Sequence, residues 1–284
     1  MLNKLMKYEF KATARIFLLA YAVVIVLAGV NSATIAITGP TSGSVVASIV
    51  ASLMMTIFVI AACAMFVMTL VVIIVRFYRM LGDDGYLWFT LPATPTQHVL
   101  AKLIPAGVWT VASSIVAVVS IGLVTLPSDW YGQMGIIWTY AASHGYSASA
   151  WLVWLLVLVL VALLSEILVA YAAMAIGPNM VKSSRLGGSA LAFVIFYIAT
   201  QVIGLLAIGL WALMSQGLLK ALVADVTALP GGIGTTVDFP NVSASLVNQA
   251  WFTFSGVFLV EYLVIGVVCF LLTRHFVGRK LNLA

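Results

Sequence analysis

Two carboxylates, Glu166 and Glu261, stand inside otherwise apolar stretches of this 284-residue chain, and they are the residues best placed to do chemistry. An ionisable side chain in hydrocarbon is costly, so such residues face a bundle interior or a water-filled cavity. There a carboxylate can attract a cationic substrate or carry a proton. No Lys or Arg stands at matching depth in the apolar stretches to pair with either acid. The competing reading is a protonated carboxyl hydrogen-bonded to a neighbouring helix, with Gln201, Tyr171 or Tyr197 as partner. Both readings stay open, and Glu166, Gln201 and Glu261 form the candidate substrate path. Other chemistries lack their residues. There is no His-Glu-x-x-His, no Gly-x-Ser-x-Gly and no paired acids, and His98, His144 and His275 are scattered over loops and ends. No metal site is expected. Cys63 and Cys269 lie within apolar stretches and read as packed thiols.

A different kind of site sits in the one dense polar stretch, residues 82–102, GDDGYLWFTLPATPTQHVLAK. Tyr86, Leu87, Trp88 and Phe89 crowd between a glycine, Gly85, and the proline Pro92. A short surface helix there would expose them, and exposed apolar groups of that density mark an interaction surface. The bland alternative is that the aromatics rest in the lipid interface. Thr94-Pro95-Thr96-Gln97 reads as a helix start, with Thr94 as cap, Pro95 in the first turn and Gln97 completing a capping box.

The elements that hold these residues are membrane spans. Apolar residues make up 64% of the chain and charged residues 7%, with a mean hydropathy of +1.19; soluble domains carry about 25% charge. A bilayer core needs about 20 apolar residues per helix. Six runs meet that length, at roughly 15–37, 45–75, 97–126, 150–176, 187–215 and 249–273, with ends uncertain by about 2–4 residues. The runs are continuous rather than alternating, which excludes a β-barrel. Twelve of the thirteen basic residues then fall on one side, with Lys220 alone opposite. The positive-inside rule makes that side cytoplasmic, with both termini there. The net charge of +5 follows from this bias and implies contact with anionic lipid rather than nucleic acid. The expected fold is all-α, a single transmembrane domain over residues 1–284.

Two further segments complete it. Residues 1–14 read as an interfacial amphipathic helix, Leu2, Leu5, Met6 and Phe10 on one side and Lys4, Lys7, Lys11 and Arg15 on the other. A cleaved signal peptide fits this start less well. Outside, residues 127–149 place Trp130, Tyr131, Trp138 and Tyr140 at headgroup level. Residues 216–248 form the longest outer loop, with an amphipathic or partly re-entrant helix over 218–229 broken by Pro230-Gly231-Gly232.

Around the polar stretch the chain resembles the permeases of the type-2 ABC exporters. The matching residues are Asp84-Gly85-Tyr86-Leu87, Thr90-Leu91-Pro92, Thr94 and Ala101-Lys102, in the connection between the second and third spans. The opening Lys-Leu-Met-Lys-Tyr-Glu-Phe-Lys also looks like the interfacial helix that begins such subunits. Tyr86-Leu87-Trp88-Phe89 is more aromatic than the usual pattern. The resemblance implies that residues 76–96 form a cytoplasmic coupling loop seated in a groove of a separate ATPase subunit, with Asp83, Asp84, Gly85, Tyr86, Leu87, Trp88, Phe89, Leu91, Pro92 and Thr94 at the contact. It further implies a second permease, the same chain or a paralogue, in the cell membrane of a bacterium. ATP and Mg would be bound by the ATPase. This chain has no Gly-x-x-x-x-Gly-Lys-Ser/Thr loop to cradle phosphates, so it carries no cofactor and is not expected to be an enzyme. Substrates implied are peptides, drugs, lipids or glycans, of which the aromatic, apolar spans and their two acids favour an amphipathic, cationic peptide or drug. The alternatives are a proton-coupled secondary transporter using Glu166 and Glu261, which would show inverted repeats, and, least supported, an intramembrane enzyme.

Overall fold

The computed structural model describes residues 2–38, 45–82, 94–127, 130–181, 184–227 and 243–281. Among them the chain is all helical: α1 Leu2–Thr38, α2 Val45–Leu81, α3 Pro95–Thr125, α4 Trp130–Ser143, α5 Ala148–Met180, α6 Arg185–Met214, α7 Gln216–Thr227 and α8 Ala244–Leu281. Six of these, all but α4 and α7, are long and apolar enough to cross a bilayer. The protein is an all-α, multi-pass membrane protein.

Helix ends differ from the apolar runs in an instructive way. The opening basic segment is helical, as expected, and is continuous with the apolar run that follows, one helix running unbroken from Leu2 to Thr38. Lys4, Lys7, Lys11 and Arg15 are exposed along it and Phe10 is half-buried. Likewise α2 continues past its apolar run to Leu81, and α8 starts at Ala244 and ends at Leu281. Hydropathy marks where a helix lies in hydrocarbon, whereas the backbone ladder continues through Lys, Leu and Met, all good helix formers. The aromatic stretch after α3 is also a helix, α4, in which Tyr131 donates to the Gly122 carbonyl at 2.7 Å. The short helix expected over 218–229 exists as α7; residues 228–242, including Pro230-Gly231-Gly232, lie outside the described residues.

Contacts divide the chain into two compact units. The first comprises Met1–Gln133, Ala170–Ile176 and Leu271–Ala284. Its core is a seam along α1, Phe17, Tyr21, Val24 and Ala28, at alternating spacings of four and three that keep one face of the helix inward. Phe58 and Met65 of α2 and Val124 of α3 close on that seam. The Phe17 and Trp109 rings stack at 4.6 Å. Because lipid is as apolar as leucine, helices in a bilayer associate through close packing and interhelical hydrogen bonds. This unit uses both. Trp109 Nε1 donates to Thr13 Oγ1 at 2.8 Å, and Ser113 Oγ lies 2.9 Å from the Tyr21 hydroxyl and 3.0 Å from Thr69 Oγ1. The second unit, Met134–Val169 and Gly177–Phe270, holds most of α5 and α8 and all of α6 and α7.

Candidate functional site

The three substrate-path residues meet in the second unit. Glu166 on α5, Gln201 on α6 and Glu261 on α8 line one cavity of about 130 Å³, to which Ser165, Thr200 and Tyr262 add polar groups. That is room for a few waters or a small cationic group. Glu166 and Gln201 are exposed and Glu261 is half-buried.

Two glycines let the helices close around this cavity. A Cβ at Gly204 would stand 3.2 Å from Glu261 Oε1, so α6 passes the carboxylate on its bare side. At Gly266 a Cβ would come within 2.9 Å of Ser165 Oγ, which instead donates to the Tyr262 carbonyl at 2.6 Å and ties α5 to α8. Small residues at such crossings are the usual means of close helix approach in a bilayer.

Neither acid has a cationic partner among the described residues. Glu261 Oε2 is enclosed and has no hydrogen-bond partner among them. Tyr171, one possible partner in the sequence reading, is elsewhere: it belongs to the first unit, stacks on Phe77 at 3.8 Å and points its hydroxyl at the Lys102 carbonyl. Tyr197 is exposed. Two carboxylates and an amide with unfilled hydrogen-bonding capacity can take up a cation, a proton or ordered water.

A second polar centre, in the first unit, escaped the sequence reading. Glu9 on α1 is buried and accepts from two cations, Arg76 of α2 at 2.5 Å and Lys102 of α3. Lys102 is enclosed, whereas Arg76 keeps 30% of its side chain exposed, so Lys102 is the partner that most needs the carboxylate. Thr13, Pro105, Trp109 and Tyr171 stand around the cluster. Its signal was faint. Glu9 is the single acid of the basic opening segment, and it shares a helix side with Thr13 and Phe17 at four-residue steps. Arg76 and Lys102 read as topology markers, which concealed their pairing.

Of the coupling residues, Thr94 is described and behaves as its sequence suggests. Its hydroxyl accepts from the Gln97 amide at 3.4 Å, and the Gln97 side chain accepts from the Thr94 amide at 3.1 Å, with Pro95 opening the helix. Asp83, Asp84, Gly85, Tyr86, Leu87, Trp88, Phe89, Leu91 and Pro92 lie outside the described residues.

No protein-family model, curated protein or solved structure matches this chain.

Proposed function

We propose that the chain is the membrane-spanning permease subunit of an ATP-driven exporter of the type-2 ABC kind, docked on a separate ATPase through the connection between α2 and α3. The observation that carries this reading is the Glu9 cluster. The connection leaves α2 shortly after Arg76 and enters α3 two turns before Lys102, and one buried carboxylate on α1 holds both residues. Force applied to the connection would therefore reach three spans at once rather than dissipate at a loose hinge. In this reading the connection and both termini are cytoplasmic, the membrane is the cell membrane of a bacterium, and the ATPase supplies ATP and Mg chemistry. Binding of ATP would favour one arrangement of the spans over another by differential affinity.

The test has two parts. The purified chain should hydrolyse no ATP alone and gain vanadate-sensitive hydrolysis when co-expressed with its nucleotide-binding partner. Leu87→Ala with Phe89→Ala should then release the ATPase or uncouple hydrolysis from transport. Full burial of one Leu or Phe is worth about 1.5–3 kcal/mol, so two truncations would weaken docking about a hundredfold or more. A double variant that co-purifies and transports like the parent would sink the reading.

A second reading draws on the cavity shared by Glu166, Gln201 and Glu261. A proton-coupled secondary transporter would use these acids as carriers and would transport in response to a pH gradient in vesicles containing this chain alone. Transport that requires ATP and the partner would exclude it.

A further inference from the structure

The second unit contains another cavity, much larger and of different character. α6, α7 and α8 border a groove of about 950 Å³, walled mainly by Leu206, Leu210, Trp211, Phe252 and Val260. Sites for drug-sized molecules run to roughly 300–1,000 Å³, mostly apolar with a few fixed polar groups. Trp211 is fixed in this wall through its Nε1, which donates to Thr253 Oγ1 at 3.3 Å. Along α8 the lining runs from Gln249 to Ile265, about 24 Å at 1.5 Å per residue, with Glu261 about 18 Å from Gln249.

Among the described residues, Glu261 is the one ionisable side chain that lines the groove. The same carboxylate lines the polar cavity it shares with Glu166, so it belongs to both spaces. A lipid tail filling the groove would satisfy the walls and leave the Glu261 carboxylate, half-buried and lining the groove, without a partner. A ligand joining an apolar body to a positively charged nitrogen satisfies both. Among the described residues no basic side chain pairs with either acid, so a ligand's charge meets no competitor there.

We propose that this groove binds an amphipathic ammonium, its charged nitrogen on Glu261 and its apolar body laid between α6 and α8. Its role as a transported substrate rests on the permease reading; the binding itself does not. Binding is therefore measured without ATPase or nucleotide, so that failure here and failure of the permease reading are told apart.

The experiment uses the full chain in phosphatidylcholine nanodiscs, with radiolabelled dodecylamine as ligand, dodecanol as the uncharged match and empty nanodiscs subtracted. Dodecylamine should bind saturably, and dodecanol at least about tenfold more weakly, the scale of one charge-assisted hydrogen bond. Glu261→Gln should weaken dodecylamine to the same extent at an unchanged melting temperature. Gly256→Phe should abolish binding without touching the carboxylate. Gly256 lines the groove, and a Cβ there meets nothing within 4 Å, so the ring enters the space instead of colliding. Equal affinity for amine and alcohol would overturn the proposal in favour of a plain lipid groove. Parent-like binding by Gly256→Phe together with a changed oligomeric state would reassign the groove to a contact between copies. Weakening by Glu166→Gln but not by Glu261→Gln would place the ammonium in the other cavity, and the proposal would fall.

Discussion

Glu9 serves two cations with one carboxylate, and this asymmetry sets a ranking of substitutions. Glu9→Gln removes the negative charge that Arg76 and Lys102 share, whereas Arg76→Gln leaves the Glu9–Lys102 pair in place. Breaking a buried ion pair from one side costs about 3–5 kcal/mol, and a solvent-exposed pair contributes about 1 kcal/mol or less. Glu9→Gln should therefore lower the melting temperature far more than Arg76→Gln. Adding Lys102→Met to Glu9→Gln should recover part of the loss, because it removes the enclosed cation. Thermal unfolding in detergent checks this, and a Glu9→Gln protein as stable as the parent would show that the cluster is not structural. At this scale the sequence was legible where a residue contradicted its surroundings. Glu166 and Glu261 stood out as acids in apolar runs. Glu9 did not, because an acid among lysines looks ordinary until helices separated by 67 and 93 positions are brought beside it.

Elements were legible in their interiors and less so at their ends. A bilayer demands continuous apolar runs, which is why six spans could be counted from composition alone. The same demand says nothing about where a helix stops, hence α2 running on to Leu81, α8 spanning Ala244–Leu281 and the missed helix α4. The start of α3 was the exception, because a capping box is a local motif whose partners are three residues apart. Thr94→Ala should remove that cap at a cost of about 1 kcal/mol. Hydrogen exchange should then quicken at the amides of residues 96–98 while the middle of α3 stays protected. Unchanged exchange there would mean that tertiary contacts, not the cap, fix the start of α3. The groove between α6 and α8 had no sequence signature at all. Its lining residues are ordinary span residues, and only the path of the helices makes them a cavity.

For the whole molecule, the permease reading expects two copies of this chain, or one copy and a paralogue, with two ATPases. Native mass measurement of the complex should give that two-to-two composition, and a single permease per complex would contradict the assembly. The Glu9 cluster also bears on how the chain is made. Its three members lie within the first 102 residues, and chains emerge from the ribosome N-terminus first. The ion cluster and the Phe17–Trp109 stack can close once the third helix is inserted, while the second half of the protein is still unsynthesised. A nascent chain thus gains a packed, ion-paired hub early in its synthesis. Loss of Glu9 would be felt first in the insertion and survival of new protein, before any defect in the finished protein could be seen.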